Sequence, residues 1–138
     1  VKNEPVLLAL QRATHATLHL VTTTLVDLDL TASEINVLGN LGDGEPRTVS
    51  QLGAAVGSKP ATLTGILDRL ERRGLITRGT RPGDRRAVLI ELTADGRETA
   101  TLIRQTFADL EHGALAGLSR EQIDGARAVL DALTAARP

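Results

Sequence analysis

Apolar residues recur along the chain at spacings that separate helices from strands. Leu18, Val21, Leu25 and Leu28 lie three and four apart in the stretch after Pro5. That period predicts a first helix over the ~25 residues that follow the proline, whose missing N–H is no loss in a first turn. The run Val21-Thr22-Thr23-Thr24 is β-branched and favours strand on propensity alone, but the longer period argues for helix. Three later helix starts share one signature, a hydroxyl residue followed three positions on by Glu or Gln: Thr31-Ala32-Ser33-Glu34, Thr48-Val49-Ser50-Gln51 and Ser119-Arg120-Glu121-Gln122. In each, the hydroxyl accepts from an otherwise unpaired amide, and the longer side chain reaches back to the N–H of the capping residue. They predict a second helix from about Ala32 to Leu41, stopped by Gly42-Asp43-Gly44. They also predict a short third helix with Val49, Leu52 and Val56 inward, stopped by Gly57, and a sixth from about Arg120 to Ala136. Leu63, Ile66, Leu67 and Leu70 form the narrow apolar stripe of a fourth helix, which opens near Ser58-Lys59-Pro60 and ends at Gly74.

The period then changes to two. Leu75 to Arg81, the turn Pro82-Gly83-Asp84 and Arg86 to Leu92 predict a β-hairpin, with Val88, Ile90 and Leu92 on one face. A long fifth helix follows Thr93 and runs to about Ala116. The expected fold is mostly α, with one hairpin between the fourth and fifth helices.

Composition narrows the chemistry. A length of 138 residues allows one compact domain with a real core. With one Phe and neither Tyr nor Trp, the chain lacks the aromatic platforms of a base-stacking single-strand binder. With no Cys it has no disulfide framework, thiol switch or catalytic thiol, which fits the cytoplasm. No apolar run is long enough to span a membrane, and the N-terminus carries no secretory signal pattern. Met is absent even at position 1, so the chain is expected to begin after the native start.

The formal charge of −1 conceals an asymmetry. Between Arg47 and Arg97 stand ten basic residues (Arg47, Lys59, Arg69, Arg72, Arg73, Arg78, Arg81, Arg85, Arg86 and Arg97) against five acidic ones (Asp68, Glu71, Asp84, Glu91 and Asp95), a surplus of +5. The remainder carries six basic and twelve acidic residues, −6. A basic middle between acidic ends is the footprint of a DNA-binding module on a neutral frame; the alternative is a solvated charged face. Two details favour the first. The fourth helix opposes its apolar stripe with Ala61, Gly65, Asp68, Arg69 and Arg72, flanked by Thr62 and Thr64, so its first turns are small and polar enough to approach a major groove. The hairpin turn carries Arg81, Arg85 and Arg86, suited to the focused negative potential of a minor groove.

These residues resemble the MarR (multiple antibiotic resistance regulator) family of bacterial winged helix-turn-helix repressors, from about Leu7 to Ala136. The most specific part is Asp84-Arg85-Arg86-Ala87-Val88-Leu89-Ile90-Glu91-Leu92-Thr93, which resembles the family's wing. The run from Leu63 to Ile76 is similar to its recognition helix and exit, and Leu30-Thr31-Ala32-Ser33-Glu34 to the opening of its second helix. The resemblance implies a winged helix-turn-helix module at 31–92 joined to a helical dimerisation region at 1–30 and 93–138. It implies a homodimer on double-stranded DNA with a pseudo-palindromic operator, and a small-molecule pocket between the dimer layer and each module. By matching position, Thr62 and Thr64 would contact bases or phosphates. Ser58 and Lys59 would meet phosphate at the helix N-terminus. Arg86 would enter the minor groove beside Arg85, and Asp84 would fix the wing tip by pairing with Arg86 or Arg78. Asp84 also has a simpler reading as a turn residue, and Arg69 and Arg72 as helix-surface partners of Asp68. Arg47 and Arg78 would clamp phosphate. Oxidation-sensing members of the family use Cys, so this chain would not sense peroxide through a thiol.

In the family the first helix borders the pocket. Here it carries Arg12, His15, His19 and Thr22 in a polar stripe, suited to the carboxylate and hydroxyl of a small aromatic or phenolic acid, with Phe107 as the only ring to cover it. The same residues have a plainer reading, at a dimer interface or in solvent. A further alternative is a metal-responsive regulator in which His15 and His19, four apart, share Zn²⁺ with His112 or Glu111. A winged helix can also serve as a protein-interaction module, which would require an exposed apolar face on the fourth helix. No nucleophile elbow, phosphate-binding glycine loop or metal triad is present, so neither catalysis nor a cofactor is expected.

Overall fold

The computed structural model describes residues 3–81 and 83–138; the side chains of Arg81, Asp84, Arg85 and Arg86 lie outside the described residues. The chain divides into two compact units, Val1–Phe107 and Ala108–Pro138. The first contains α1 (Val6–Thr24), a 3-10 turn at Val26–Leu28, α2 (Ala32–Leu41), β1 (Arg47–Thr48), α3 (Val49–Val56), α4 (Pro60–Arg72), β2 (Ile76–Arg81) and β3 (Asp84–Leu92). It also holds most of α5 (Ala94–Ala114). The end of α5 and α6 (Arg120–Ala135) form the second.

All three expected capping boxes form. Glu34, Gln51 and Gln122 each donate a backbone N–H to the capping hydroxyl, at 3.1, 3.1 and 3.2 Å. Their side-chain oxygens accept the N–H of Thr31, Thr48 and Ser119. The first helix is shorter than its period suggests. It stops at Thr24, because Asp29 turns the chain in a left-handed conformation (φ 51°) ahead of the α2 cap. Leu25 and Leu28 therefore belong to the helix end and the 3-10 turn, where Leu25 still enters the core. Within α1 the Thr22 and Thr24 hydroxyls donate to carbonyls four residues back, at 2.9 and 2.7 Å, which accommodates the β-branched run in a helix.

The core of the first unit joins α2, α3, α4 and the sheet. Ile35, Leu38, Leu52 and Ile90 are buried with the whole α4 stripe of Leu63, Ile66, Leu67 and Leu70. The antiparallel sheet has the order β1-β3-β2. Its short third strand was not expected: Arg47 and Thr48 pair with Ile90 and Leu89. Two residues carry no readable period, and Thr48 is also the cap of α3. The alternation in β3 holds at Ile90, buried between Leu89 and Glu91, but fails at Val88, which is exposed between half-buried Ala87 and Leu89 near the turn.

One corner fixes how α4 leaves for the sheet. Gly74 adopts φ 72°. Its N–H donates to the Glu71 carbonyl at 2.9 Å, and that of Leu75 to the Leu70 carbonyl at 3.0 Å, the paired closure that a left-handed glycine permits. The start of α5 grips the same corner. Thr93 donates its N–H to the Leu75 carbonyl (3.0 Å) and its hydroxyl to the Gly74 carbonyl (2.6 Å), and accepts the N–H of Gly96 (3.0 Å).

Candidate nucleic-acid interface

The α4 stripe turns inward, so its other face is turned out. Ala61, Thr62, Thr64, Arg69 and Arg72 are exposed, with Gly65 and Asp68 half-buried between them. No large apolar side chain stands on that outer face, since all four of the helix are in the core. Its N-terminus has no side-chain cap: Lys59 precedes Pro60 at the first helical position. Leu63 donates back to the Lys59 carbonyl (3.0 Å), so the amides of Ala61 and Thr62 lack the helical partner that Leu63 has. Lys59 is exposed and Ser58 half-buried beside them. The Thr64 hydroxyl donates to the Pro60 carbonyl at 2.9 Å and therefore offers outward only its lone pairs. In that rotamer it is suited to a base amino group rather than to a phosphate oxygen.

The basic surplus divides into engaged and unengaged cations. Arg47 meets Asp43 through two contacts, 2.6 and 2.9 Å, and also donates to the Glu45 carbonyl. Chiefly through the Arg47 hydrogen bonds, and then through the Glu45 N–H, Asp43 is held far below its ordinary value of 3.8. The same bonds raise Arg47. A carboxylate held low contributes stability above its unfolded pKa and loses it as pH falls through the folded one. Here the contribution is small, because the Asp43 side chain is 36% exposed.

Arg78, on β2, lies against two carboxylates of α4. Its Nη2 is 2.7 Å from Asp68 and 3.0 Å from Glu71, with Nε at 3.4 Å from the other Glu71 oxygen. Hydrogen bonding to Arg78 lowers the Glu71 carboxyl, and the pair of acids raises Arg78. Asp68 thus pairs with Arg78 rather than with Arg69 or Arg72. Arg69 stands 4.0 Å from the buried Glu34, and Arg72 has no partner among the described residues. Arg73 turns the other way and donates to the Leu28 and Asp29 carbonyls at 2.9 and 2.5 Å. Sequence reasoning missed this role, because nothing in an Arg-Arg-Gly run tells which arginine faces backbone. Asp84, Arg85 and Arg86, expected at the wing, lie on β3 with side chains outside the described residues, and Pro82 lies outside them altogether.

The residues expected to meet an effector are spread over two elements. Arg12, His15 and His19 are exposed on α1, where Arg12 pairs with Glu4. Phe107 is 40% exposed on α5. No hydrogen bond among the described residues connects these four. No group of three or more metal-ligating side chains gathers among the described residues, so His15 and His19 have no third ligand there.

A helix-turn-helix core, an exposed polar face on its second helix and a hairpin directly after it define the winged helix-turn-helix class. The MarR family model matches residues 30–88. The organic hydroperoxide resistance transcriptional regulator of Bacillus subtilis is 34% identical over 106 residues, 77% of this chain and 69% of that protein. The chain belongs to the MarR family. Its fold matches that of NadR, solved in complex with 4-hydroxyphenylacetate, with a TM-score of 0.88 at 23% identity over 99% of this chain and 97% of that one. It also matches BpsR of Bordetella bronchiseptica, whose DNA binding is regulated by 6-hydroxynicotinic acid. There the TM-score is 0.80 at 28% identity, over 97% of this chain and 96% of that one.

Proposed function

We propose that this regulator is a cytoplasmic homodimeric repressor that binds a pseudo-palindromic duplex and is released by a small aromatic acid. The observation that carries the DNA contact is the outer face of α4, small and polar at its open N-terminus, with Lys59 beside the unpaired amides. In this reading 31–92 is the DNA-binding module, and the helices of 1–30 and 93–138 dimerise. Thr62 and Thr64 enter the major groove, Ser58 and Lys59 take the flanking phosphate, and Asp84, Arg85 and Arg86 bring the wing to the minor groove. Arg47 stands at the edge of the sheet that bears the wing. The twofold spaces the two reading helices about one DNA turn, ~34 Å, apart. A protein-docking role for α4 is disfavoured by its lack of an exposed apolar face.

Dimerisation is supported by apolar side chains left open in one chain. On α1 these include Leu7, Leu8 and Leu18; on α6 they are Val129, Leu130 and Leu133. The effector class is supported by the regulation of BpsR by a hydroxylated aromatic acid. Although one relative carries hydroperoxide resistance in its name, this chain has no Cys and so no thiol to oxidise.

Two experiments test the reading. Arg86→Ala is expected to weaken binding of a duplex selected from random DNA by about 1–3 kcal/mol, the scale of one good base-edge contact, and to leave the dimer intact. Unchanged affinity in a gel-shift titration removes Arg86 from the interface. The double substitution Arg12→Ala and His19→Ala is expected to abolish release by phenolic acids while DNA binding persists. A ligand titration that is the same in both proteins removes the effector site from α1.

A further inference from the structure

The reading helix carries acids where it should approach a polyanion. Asp68 follows Ala61 and Gly65 on the outward face, and Glu71 lies one turn on; within α4 they cancel Arg69 and Arg72, leaving the helix without net charge. Arg78 reaches both acids from β2, and its side chain is the most sheltered of the three, 26% exposed against 49% for Asp68 and 42% for Glu71. Pairs this exposed add little to folding. Their larger effect is on the potential that α4 presents.

Resting on the DNA-binding reading above, we infer that Arg78 serves DNA binding by neutralising Asp68 and Glu71 beside the reading face, and not by gripping a phosphate itself. Two of its donor nitrogens are already spent on carboxylates. Without Arg78, Asp68 and Glu71 keep no partner on β2 among the described residues, and a phosphate brought near those two carboxylates is repelled. This accounts for a strand arginine whose side-chain hydrogen bonds among the described residues all run back to α4.

The test is an anisotropy titration of the full chain with a labelled duplex selected by the parent protein from a random pool, at several salt concentrations. Arg78→Gln is expected to lose affinity by about tenfold or more at low salt. Adding Asp68→Asn and Glu71→Gln to it is expected to restore affinity to within about twofold and to leave the salt slope unchanged. A triple variant as weak as Arg78→Gln, with a slope reduced by about one, identifies a phosphate contact and overturns the inference. Should circular dichroism show Arg78→Gln unfolded, the triple variant, which leaves no carboxylate stranded, is compared directly with the parent: equal affinity supports the masking role and a tenfold loss overturns it. If the parent binds no duplex, the DNA-binding reading fails and the inference falls with it. A binding parent without rescue overturns the masking role alone.

Discussion

Gly96→Ala is expected to destabilise the chain by about 3 kcal/mol, the upper range for overpacking a tight site. A Cβ at this position, in the first turn of α5, would collide with the carbonyl oxygen of Leu75 and lie 2.9 Å from its carbon. That carbonyl cannot retreat without surrendering the Thr93 N–H, and it belongs to the corner that closes α4. The obstacle is backbone against backbone, so no rotamer change relieves it. Gly113→Ala supplies the control. It lies on the same helix with nothing within 4 Å of the added carbon, and should gain about 0.5–1 kcal/mol from lower unfolded-state freedom. Thermal or urea unfolding by circular dichroism reads both. Equal midpoints for Gly96→Ala and the parent would contradict the close approach.

The second large effect concerns assembly. Leu130→Glu with Leu133→Glu is expected to yield a folded monomer whose affinity for the selected duplex falls by about a hundredfold or more, because two linked half-site contacts become one. Both leucines lie on α6, 45% and 36% exposed, and no residue of that helix is buried in one chain. Acidic residues there cost little in an isolated chain but would be strongly unfavourable inside an apolar interface. Sedimentation equilibrium reports the mass, and the anisotropy titration reports the affinity. A doubly substituted protein that stays dimeric would move the interface off this face of α6.

How much of this was legible depended on whether the signal was local. Thr31, Thr48 and Ser119 announced their helices because a capping box is complete within four residues. The α4 stripe was legible because Leu63, Ile66, Leu67 and Leu70 needed only a helical period and one partner surface. Where the outcome rests on contacts that no period or short motif encodes, the sequence falls short. The end of α1 was overrun because its apolar period continues into the 3-10 turn, where Leu25 and Leu28 pack without being helical. β1 was invisible because two residues have no pattern apart from their partners in β3. The basic middle of the chain is legible as a surplus of +5, but a surplus does not say which cations are engaged. Arg47, Arg73 and Arg78 each meet a particular partner, and composition cannot supply that distinction.

Arg73 is the instructive case. Its two terminal nitrogens meet two successive carbonyls, those of Leu28 and Asp29, 45 and 44 residues earlier in the chain. This ties the end of α4 to the segment that leaves α1. A lysine would keep the charge, yet a single ammonium on a flexible stem lacks the planar fork that spans adjacent acceptors. The most conservative exchange on paper is therefore the one that would loosen this brace while every electrostatic count stays the same.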